Sequence, residues 1–427
     1  MRLRALRVLL VAGFALAANS ALGEEQGRSS PPITLQDIQV VTPGFWERVA
    51  ANGGTPLVEY GKTPDDPVKV TFLWRGDDLR EVELSWPVWT PDRRENHLQR
   101  IDGSDVWFKT VMLPPRTRLS YQIAPDLARG APGDREAYRA SLMAALQFDP
   151  RNPKRFGQMS LLELKGTPDQ PFVESRPGVQ KGRVWSESID NPLNGRTYEI
   201  TFYRPAGVAK NEATPLVVLF DAERYLKDIP TPTILDNMIA DGAIAPISAI
   251  LIRNPTRQSR SEDLACNPAF SEAMVKGLMP WVRERVKISE DAKDIAIAGS
   301  SYGGLMAVCT VLTYPDVFGN ALSQSGSFWW DPAGKEGKAP DDLLVIRRVR
   351  ESPPSPARFY LDAGVLEQRP AGEDNSGSIF QTTEALYKAM KAKGYDASFH
   401  PFAGGHDDAA WRGTLSDGLI ILFGDRQ

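Results

Sequence analysis

Residues 294–304 read Asp-Ile-Ala-Ile-Ala-Gly-Ser-Ser-Tyr-Gly-Gly. An alternating, β-prone run leads into a G-x-S-x-G match centred on Ser301, and residues 305–312 continue as an apolar run. This order predicts a strand, a sharp turn and a helix, the context in which the motif presents a nucleophilic serine. The chain contains 35 glycines, so the motif alone could arise by chance. The flanking strand and helix favour Ser301 as the nucleophile.

The region after residue 182 alternates between strand-like and helix-like segments. Near-continuously apolar strands, which would be buried on both faces, are predicted at 216–221 and 247–252, and a long helix capped by Asn267 is predicted at 268–286. Such strands, separated by helices, indicate a mostly parallel sheet that is covered on both faces. With the serine turn, this pattern predicts an α/β fold, specifically an α/β-hydrolase catalytic domain over residues 183–427.

The region before this domain has a different rhythm. Four short strand-like runs, at 68–74, 81–89, 106–113 and 118–123, are separated by turn residues. They predict a small N-terminal β-sandwich over residues 33–125. A polar stretch with many prolines, residues 126–182, is predicted to be a linker that contains one helix. The tryptophans of these four strand-like runs are Trp74, Trp86, Trp89 and Trp107. Core packing is their commoner role, and ligand contact is expected only for those near the second domain.

The first residues resemble a targeting segment. Three arginines within the first seven residues precede an apolar run at 8–18 and small residues at 19–23. The run is shorter than the roughly 20 residues that a membrane-spanning helix needs. We therefore expect a signal peptide over residues 1–23, a mature chain that begins at Glu24, and export to the periplasm. No later stretch is predicted to span a membrane.

Charge and metal-ligand patterns exclude several classes of function. The formal net charge is −4 and the pI is about 5.7, so nucleic acid is not an expected partner. Neither H-E-x-x-H nor paired C-x-x-C motifs occur, and we expect no metal site and no cofactor. The two cysteines, Cys266 and Cys309, either pair as a disulfide or remain two buried thiols. The sequence does not indicate the oligomeric state.

A nucleophilic serine needs a base, and the chain has three histidines. His97 lies in the predicted sandwich, and His400 lies inside an alternating strand-like run where a structural role is favoured. His406 follows the last predicted strand in Gly-Gly-His-Asp and precedes the final helix. In the order serine, acid, histidine of the α/β-hydrolases, the base belongs in this loop. His406 is therefore predicted to be the general base.

The acid that orients the histidine should follow the preceding strand. Glu367 lies in the loop beyond that strand, where a side chain can reach the histidine, and is favoured. Asp362, at the end of the strand itself, is the alternative. Asp407 ranks third, because a residue adjacent to the histidine is expected to point elsewhere.

The oxyanion of an ester-hydrolysis intermediate requires two preorganised N–H donors. The backbone N–H of Tyr302, next to the predicted nucleophile, is one candidate. The second should come from the loop after the strand at 216–221, where Ala222 or Glu223 is the candidate.

Several local motifs add to one another. They are Arg-Ser-Glu-Asp-Leu-Ala-Cys-Asn at 260–267, Leu-Ser-Gln-Ser-Gly-Ser-Phe-Trp-Trp at 322–330 and Gly-Gly-His-Asp at 404–407. Together with the serine turn, they closely resemble the enterochelin (ferric enterobactin) esterase family, which belongs to the α/β-hydrolase superfamily. The N-terminal runs 70–75 and 99–107 are similar to that family's N-terminal domain, so the likeness covers most of the mature chain.

This resemblance implies hydrolysis of the trilactone backbone of a catecholate siderophore, with release of iron. It implies catalytic roles for Ser301, His406 and Glu367, and ligand contacts for Arg260, Trp329 and Trp330. These side chains suit the ligand, since arginine pairs with an anionic iron–catecholate and tryptophan stacks on catechol rings. One tryptophan of the pair is expected to belong to the core. The predicted signal peptide differs from the intracellular members of the family and indicates an exported form.

Two other functions stay open at this point. A general periplasmic carboxylesterase, acting on feruloyl or acetyl esters, would share Ser301 and His406 without requiring Arg260. A hydrolase-like protein that binds a ferric siderophore without cleaving it is the second alternative. The retention of serine, histidine and acid together argues against a protein that only binds.

Overall fold

The computed structural model describes residues 41–90, 92–127, 135–190, 195–334, 338–368 and 377–424. The predicted signal peptide, residues 1–23, lies outside the described residues. Within those ranges the chain forms an N-terminal β-sandwich and a larger domain built on an eight-stranded sheet. In the same ranges, none of the helices has the length and apolar character needed to cross a bilayer.

The N-terminal domain consists of two antiparallel four-stranded sheets, ordered β1-β2-β5-β4 and β3-β6-β8-β7. Its helices and strands are α1 (Phe45–Ala51), β1 (Leu57–Glu59), β2 (Val68–Arg75), β3 (Val82–Ser85), β4 (Gln99–Arg100), β5 (Val106–Leu113), β6 (Arg118–Pro125), α2 (Arg135–Ala145), β7 (Arg155–Phe156) and β8 (Met159–Glu163). Phe72 of one sheet and Leu119 and Leu162 of the other are buried in one hydrophobic cluster. The two sheets therefore enclose a common core, as a sandwich requires.

The boundary of this domain differs from the prediction. Strands β7 and β8 lie inside residues 126–182, the stretch predicted to be a linker, and β8 pairs with β6 through Leu119 and Leu162. The sandwich therefore extends to about residue 164, where Leu164 N–H donates to Thr117 O at 3.0 Å. These two strands are short and lie among prolines. Their pairing partner is distant in sequence, so the local pattern indicated a linker instead.

The second domain is built on the sheet β16-β15-β14-β13-β11-β12-β10-β9. Its strands are β9 (Arg183–Asp190), β10 (Thr197–Arg204), β11 (Leu216–Phe220), β12 (Ser248–Arg253), β13 (Ile295–Ser300), β14 (Asn320–Gln324), β15 (Arg358–Gly364) and β16 (Asp396–Phe402). The pairings from β12 through β16 are parallel, and β10 is antiparallel to both of its neighbours. The loops that follow the parallel strands therefore meet at one edge of the sheet.

Helices cover both faces of this sheet. They are α3 (Ala222–Lys227), α4 (Thr231–Ala240), α5 (Arg257–Leu264), α6 (Pro268–Ala273), α7 (Met279–Arg283), α8 (Tyr302–Thr313), α9 (Leu344–Glu351), α10 (Ile379–Lys393) and α11 (Asp408–Phe423). One π-helical segment, Met274–Leu278, joins α6 to α7. In β11, Leu216 and Val218 belong to one core cluster, whereas Val217 and Leu219 belong to the cluster on the opposite face. Burial on both faces explains why this strand is apolar throughout.

The two cysteines form a disulfide. Cys266, just beyond α5, is bonded to Cys309 of α8, with their Cα atoms 5.6 Å apart. The bond resolves the alternative between a pair and two free thiols. It joins the α5 region to the helix that begins directly after Ser301.

Candidate active site

Ser301 lies in the tight turn between β13 and α8. Its backbone has φ 59° and ψ −121°, a strained conformation for a residue with a side chain. The turn is tight enough that a Cβ on Gly299 would lie 2.7 Å from the carbonyl carbon of Gly303. Ser301 N–H donates to Gln324 O at 2.9 Å, which holds the turn against β14. The glycine at position 299 is therefore a steric requirement of the turn.

The hydroxyl of Ser301 contacts a second serine. Its Oγ lies 3.3 Å from Ser327 Oγ, and Ser327 N–H donates to Ser301 O at 3.0 Å. Among the hydrogen bonds of the described residues, none joins Ser301 to the His406 ring. Catalytic hydrogen bonds of hydrolases are often long before the substrate binds and tighten in the complex.

His406 and Glu367 form a close pair on two loops of the carboxyl edge. His406 Nδ1 lies 2.6 Å from Glu367 Oε1. The other oxygen of Glu367 accepts hydrogen bonds from Ser325 Oγ and from Gly364 N–H, each at 2.6 Å. Glu367 is buried and His406 is half-buried. The carboxylate is therefore fixed in the orientation that holds the imidazole by Nδ1 and leaves Nε2 for another partner.

Two further residues support this pair. Trp411 Nε1–H donates to Ser325 Oγ at 3.0 Å, and the Trp411 ring meets the His406 ring edge-on at 4.7 Å. Ser325 has φ 47°, a left-handed conformation at the end of β14. Sequence reasoning did not identify either role. The Ser-Gln-Ser-Gly run at 323–326 is apparent in the sequence, but the hydrogen bond from Ser325 to Glu367 joins residues 42 positions apart.

The other two candidate acids, Asp362 and Asp407, have hydrogen-bond partners other than His406. Asp362 is fully buried, and its Oδ1 accepts a hydrogen bond from Ser325 N–H at 3.0 Å. Burial raises the pKa of the Asp362 carboxyl well above its usual range. Asp407 accepts a hydrogen bond from Ser120 Oγ at 2.9 Å, so its side chain points toward the sandwich. Of the three candidates, Glu367 is the one hydrogen-bonded to His406.

The two expected oxyanion donors begin neighbouring helices. Tyr302 is the first residue of α8, and Ala222 is the first residue of α3, directly after Asp221. A Cβ on Gly303 would lie 3.6 Å from Asp221 Oδ2, so the starts of these helices are adjacent. The first N–H groups of a helix have no partner within the helix and are available to an anionic oxygen.

Arg260 was expected to face a ligand, and the structure gives it a protein partner as well. Its guanidinium is paired with both oxygens of Asp221, with Nη2–Oδ2 at 2.7 Å. The pair borders a cavity of about 400 Å³, whose charged lining residues are Asp221, Glu223, Arg224, Arg253, Arg257 and Arg260. Three of the four arginines are paired with carboxylates: Arg260 with Asp221, Arg253 with Glu223, and Arg224 with Asp408. Arg260 therefore borders a cavity with four arginines in its lining and also anchors Asp221, the residue before Ala222.

The two tryptophans of the 322–330 motif have different surroundings. Trp329 lines a cavity of about 430 Å³ together with His406, Glu367 and Trp89 of the sandwich. Its ring lies 6.0 Å from the ring of Tyr302. Trp330 is half-buried and packs against the main core cluster. Trp329 therefore faces the site, and Trp330 has a packing role.

The remaining histidines lie outside this arrangement. His400 lies in β16, where its ring stacks on Tyr360 at 4.8 Å. His97 lies in the sandwich with Nε2 at 3.6 Å from Glu83. Over the part of the chain that the structure describes, no cluster of three or more His, Cys, Asp or Glu side chains is placed to hold a metal ion.

A strained serine between strand and helix, with a histidine–glutamate pair on adjacent loops of the same sheet edge, defines the α/β-hydrolase class. Residues 192–422 match the family model described as "Putative esterase". Residues 69–173 match the model described as "Enterochelin esterase, N-terminal". The chain belongs to the enterochelin esterase family.

Proteins with similar sequence or structure agree with this assignment. An iron(III) enterobactin esterase of Escherichia coli O6:H1 is 31% identical over 392 residues, which cover 86% of this chain and 94% of that protein. An iron(III) salmochelin esterase of the same organism is 26% identical, covering 89% and 93%. The crystal structure of ferric enterobactin esterase from Salmonella typhimurium has a TM-score of 0.71 and 28% identity, covering 89% and 98%. The likeness therefore includes both domains.

Proposed function

We propose that this protein is a serine esterase that hydrolyses the trilactone backbone of a ferric catecholate siderophore and so releases iron. The observation that carries the proposal is the 2.6 Å contact between His406 and Glu367, on the same sheet edge as the strained Ser301. It occurs in a chain whose likeness to an iron(III) enterobactin esterase spans 94% of that relative.

In the acylation step, Ser301 Oγ attacks an ester carbonyl of the trilactone while His406 Nε2 takes the hydroxyl proton. Glu367 holds Nδ1–H and stabilises the imidazolium that forms. The tetrahedral intermediate collapses, the C–O ester bond breaks, and the proton on Nε2 passes to the departing alkoxide. The ring is then opened and remains attached to Ser301 as an acyl ester.

In the second step, His406 removes a proton from water, and the resulting hydroxide attacks the acyl carbonyl. Collapse releases a carboxylic acid and returns the proton to Ser301 Oγ. In both steps, the N–H groups of Tyr302 and Ala222 stabilise the negative oxygen of the intermediate. Preorganised donors of this kind contribute about 3–4 kcal/mol each in other serine hydrolases.

The cavities suit an anionic, aromatic substrate. The arginine-rich cavity bordered by Arg260 offers charge-assisted hydrogen bonds to catecholate oxygens. Trp329 and Trp89 line the second cavity together with His406, and in the proposed complex their rings stack on catechol rings. The trilactone esters thereby lie between groups that bind the iron–catecholate and the groups that perform the cleavage.

The experiment compares kcat/KM for a ferric trilactone siderophore, methyl ferulate and an acetyl ester, with chromatographic product analysis. The proposed function predicts that the trilactone is preferred by at least about tenfold and yields linear products. Preference for methyl ferulate, with no trilactone cleavage, would identify a general carboxylesterase instead. Binding of the ferric siderophore without any product would identify a binding protein.

We further propose that the protein acts after export, in the periplasm. The sequence of residues 1–23 supports this, and so does the Cys266–Cys309 disulfide, because disulfides persist in oxidising compartments. N-terminal sequencing of the protein recovered from the periplasmic fraction tests the proposal. A mature chain that begins at Glu24 is expected, and an uncleaved cytoplasmic chain would contradict it.

A further inference from the structure

The loop that carries His406, residues 403–407, contacts the N-terminal sandwich along its length. Arg118 N–H, at the start of β6, donates to Ala403 O at 2.9 Å. His406 N–H itself donates to Pro87 O, in the loop after β3, at 3.2 Å. The backbone that leads to the imidazole is therefore hydrogen-bonded to the other domain. We call residues 403–407 the histidine loop.

The contact is too close to accommodate ordinary side chains. A Cβ on Gly405 would lie 2.0 Å from Pro87 O, and one on Gly404 would lie 2.9 Å from Arg118 O. The two glycines before His406 are therefore required by the approach of the sandwich. This gives the Gly-Gly part of the Gly-Gly-His-Asp motif a physical cause.

The most specific contact joins Ser120 of β6 to Asp407. Ser120 Oγ–H donates to Asp407 Oδ1 at 2.9 Å, and Ser120 N–H donates to Oδ2. Asp407 also caps α11, accepting from Ala409 N–H at 3.0 Å. Both Ser120 and Asp407 are 4% exposed. A buried carboxylate is costly unless donors satisfy it, so Asp407 depends on the sandwich for two of these three donors.

We propose that Ser120 is a positioning residue for the esterase reaction, acting through Asp407 to hold His406 in its catalytic position. The inference rests on the proposed function, since it assigns His406 as the base. The N-terminal sandwich is then part of the catalytic apparatus. The chemical step depends on it even for a substrate too small to touch that domain.

The expected effect of Ser120→Ala on kcat follows from how far the substitution can displace His406. A displacement of about 1 Å in a catalytic group can cost about 10²-fold in rate. Ser120→Ala removes one of the two Ser120 donors and keeps the backbone N–H, so it loosens the histidine loop without releasing it. We expect kcat to fall by about tenfold and KM to change by less than about twofold.

The test uses the full-length protein with Ser120→Ala and a matched control, Thr110→Ala. Thr110 forms a comparable hydroxyl hydrogen bond of 2.9 Å with Thr71 in the other sheet of the sandwich, away from the histidine loop. Both variants are assayed with p-nitrophenyl acetate and with a ferric trilactone, and kcat is referred to active sites counted by fluorophosphonate labelling. Ser120→Cys, which keeps the size of the side chain, is the second variant.

The proposal predicts a lower kcat per active site for Ser120→Ala on both substrates, an intermediate kcat for Ser120→Cys, and a wild-type kcat for Thr110→Ala. The proposal is overturned if Ser120→Ala and Ser120→Cys keep the wild-type kcat. It is also overturned if the kcat of Thr110→Ala falls as far as that of Ser120→Ala. A wild-type protein that cleaves p-nitrophenyl acetate but no trilactone contradicts the proposed substrate alone. The dependence on Ser120 would remain measurable with the small ester.

Discussion

Glu367 Oε1 lies 2.6 Å from His406 Nδ1, and this contact distinguishes Glu367 from the other carboxyl group on the same strand and loop. Asp362 instead accepts a hydrogen bond from the backbone of Ser325 and is fully buried. Both acids follow from the sequence as candidates. The structure distinguishes the two, because Glu367 contacts the imidazole of His406 and Asp362 does not.

The first prediction concerns these two carboxyl groups. Glu367→Gln should lower kcat by about 10³–10⁴-fold, because a neutral amide cannot stabilise the imidazolium or hold its tautomer. Asp362→Asn should keep most of the activity, since it resembles the protonated acid that burial favours. Initial rates with p-nitrophenyl acetate measure both. The reverse pattern would make Asp362 the catalytic acid.

The second prediction concerns stability and pH. Because burial raises the pKa of Asp362, the folded protein keeps a proton that the unfolded chain loses above about pH 4. Folding therefore takes up a proton. The contribution of Asp362 to stability is complete below about pH 4 and declines as the pH rises toward its folded pKa, by at most about 1.4 kcal/mol per pH unit.

Asp362→Asn has no such proton, so its unfolding free energy should depend less on pH than that of the wild type. Urea unfolding at about pH 5 and about pH 7 provides the comparison. The unfolding free energy of the variant, relative to that of the wild type, should be higher at about pH 7 than at about pH 5. Identical pH dependences in the two proteins would show that Asp362 is ionised in the folded state.

The third prediction concerns the disulfide. Cys266 and Cys309 are separated by 43 positions, and a closed loop of this length restricts the unfolded chain by about 4 kcal/mol in the chain-entropy treatment. Reduction should therefore lower the unfolding free energy by about 2–4 kcal/mol. Denaturant unfolding with and without a thiol reductant measures it. The Cys266→Ala/Cys309→Ala protein is the control and should not respond to the reductant.

The fourth prediction concerns the tryptophan that the sandwich contributes to the site. Trp89→Ala should raise KM for a ferric catecholate trilactone by about tenfold, because stacking on one aromatic ring is worth about 1–3 kcal/mol. Met112→Ala, another exposed apolar side chain of the sandwich (59% exposed), is the matched control. Equal KM values for the two variants would remove Trp89 from the substrate site.

Features formed by residues that are close together in the sequence could be predicted from the sequence. The serine turn needs a strand, two flanking glycines and a helix, and all of these lie within about twenty residues of Ser301. The loop positions of His406 and Glu367 follow from the order of strands along the chain. The alternation of strands and helices after residue 182 likewise predicted the α/β class of the catalytic domain.

Long-range contacts could not be predicted in this way. Ser120 and Asp407 are 287 positions apart, and neither carries a pattern that indicates the other. The pairing of β8 with β6 and the bond between Cys266 and Cys309 depend on the same kind of distant approach. The motif at 260–267 predicted that Arg260 contacts a ligand. Its ion pair with Asp221, which is 39 positions away, is seen only in the folded structure.

The most direct test of the central claim compares wild type with Ser301→Ala on a ferric trilactone siderophore. Chromatography follows the opening of the trilactone, and quenching of tryptophan fluorescence follows binding. The account predicts that Ser301→Ala still binds the ferric siderophore and loses hydrolysis by about 10⁴-fold or more. If Ser301→Ala opens the trilactone at the wild-type rate, the protein is not a serine esterase acting through this site.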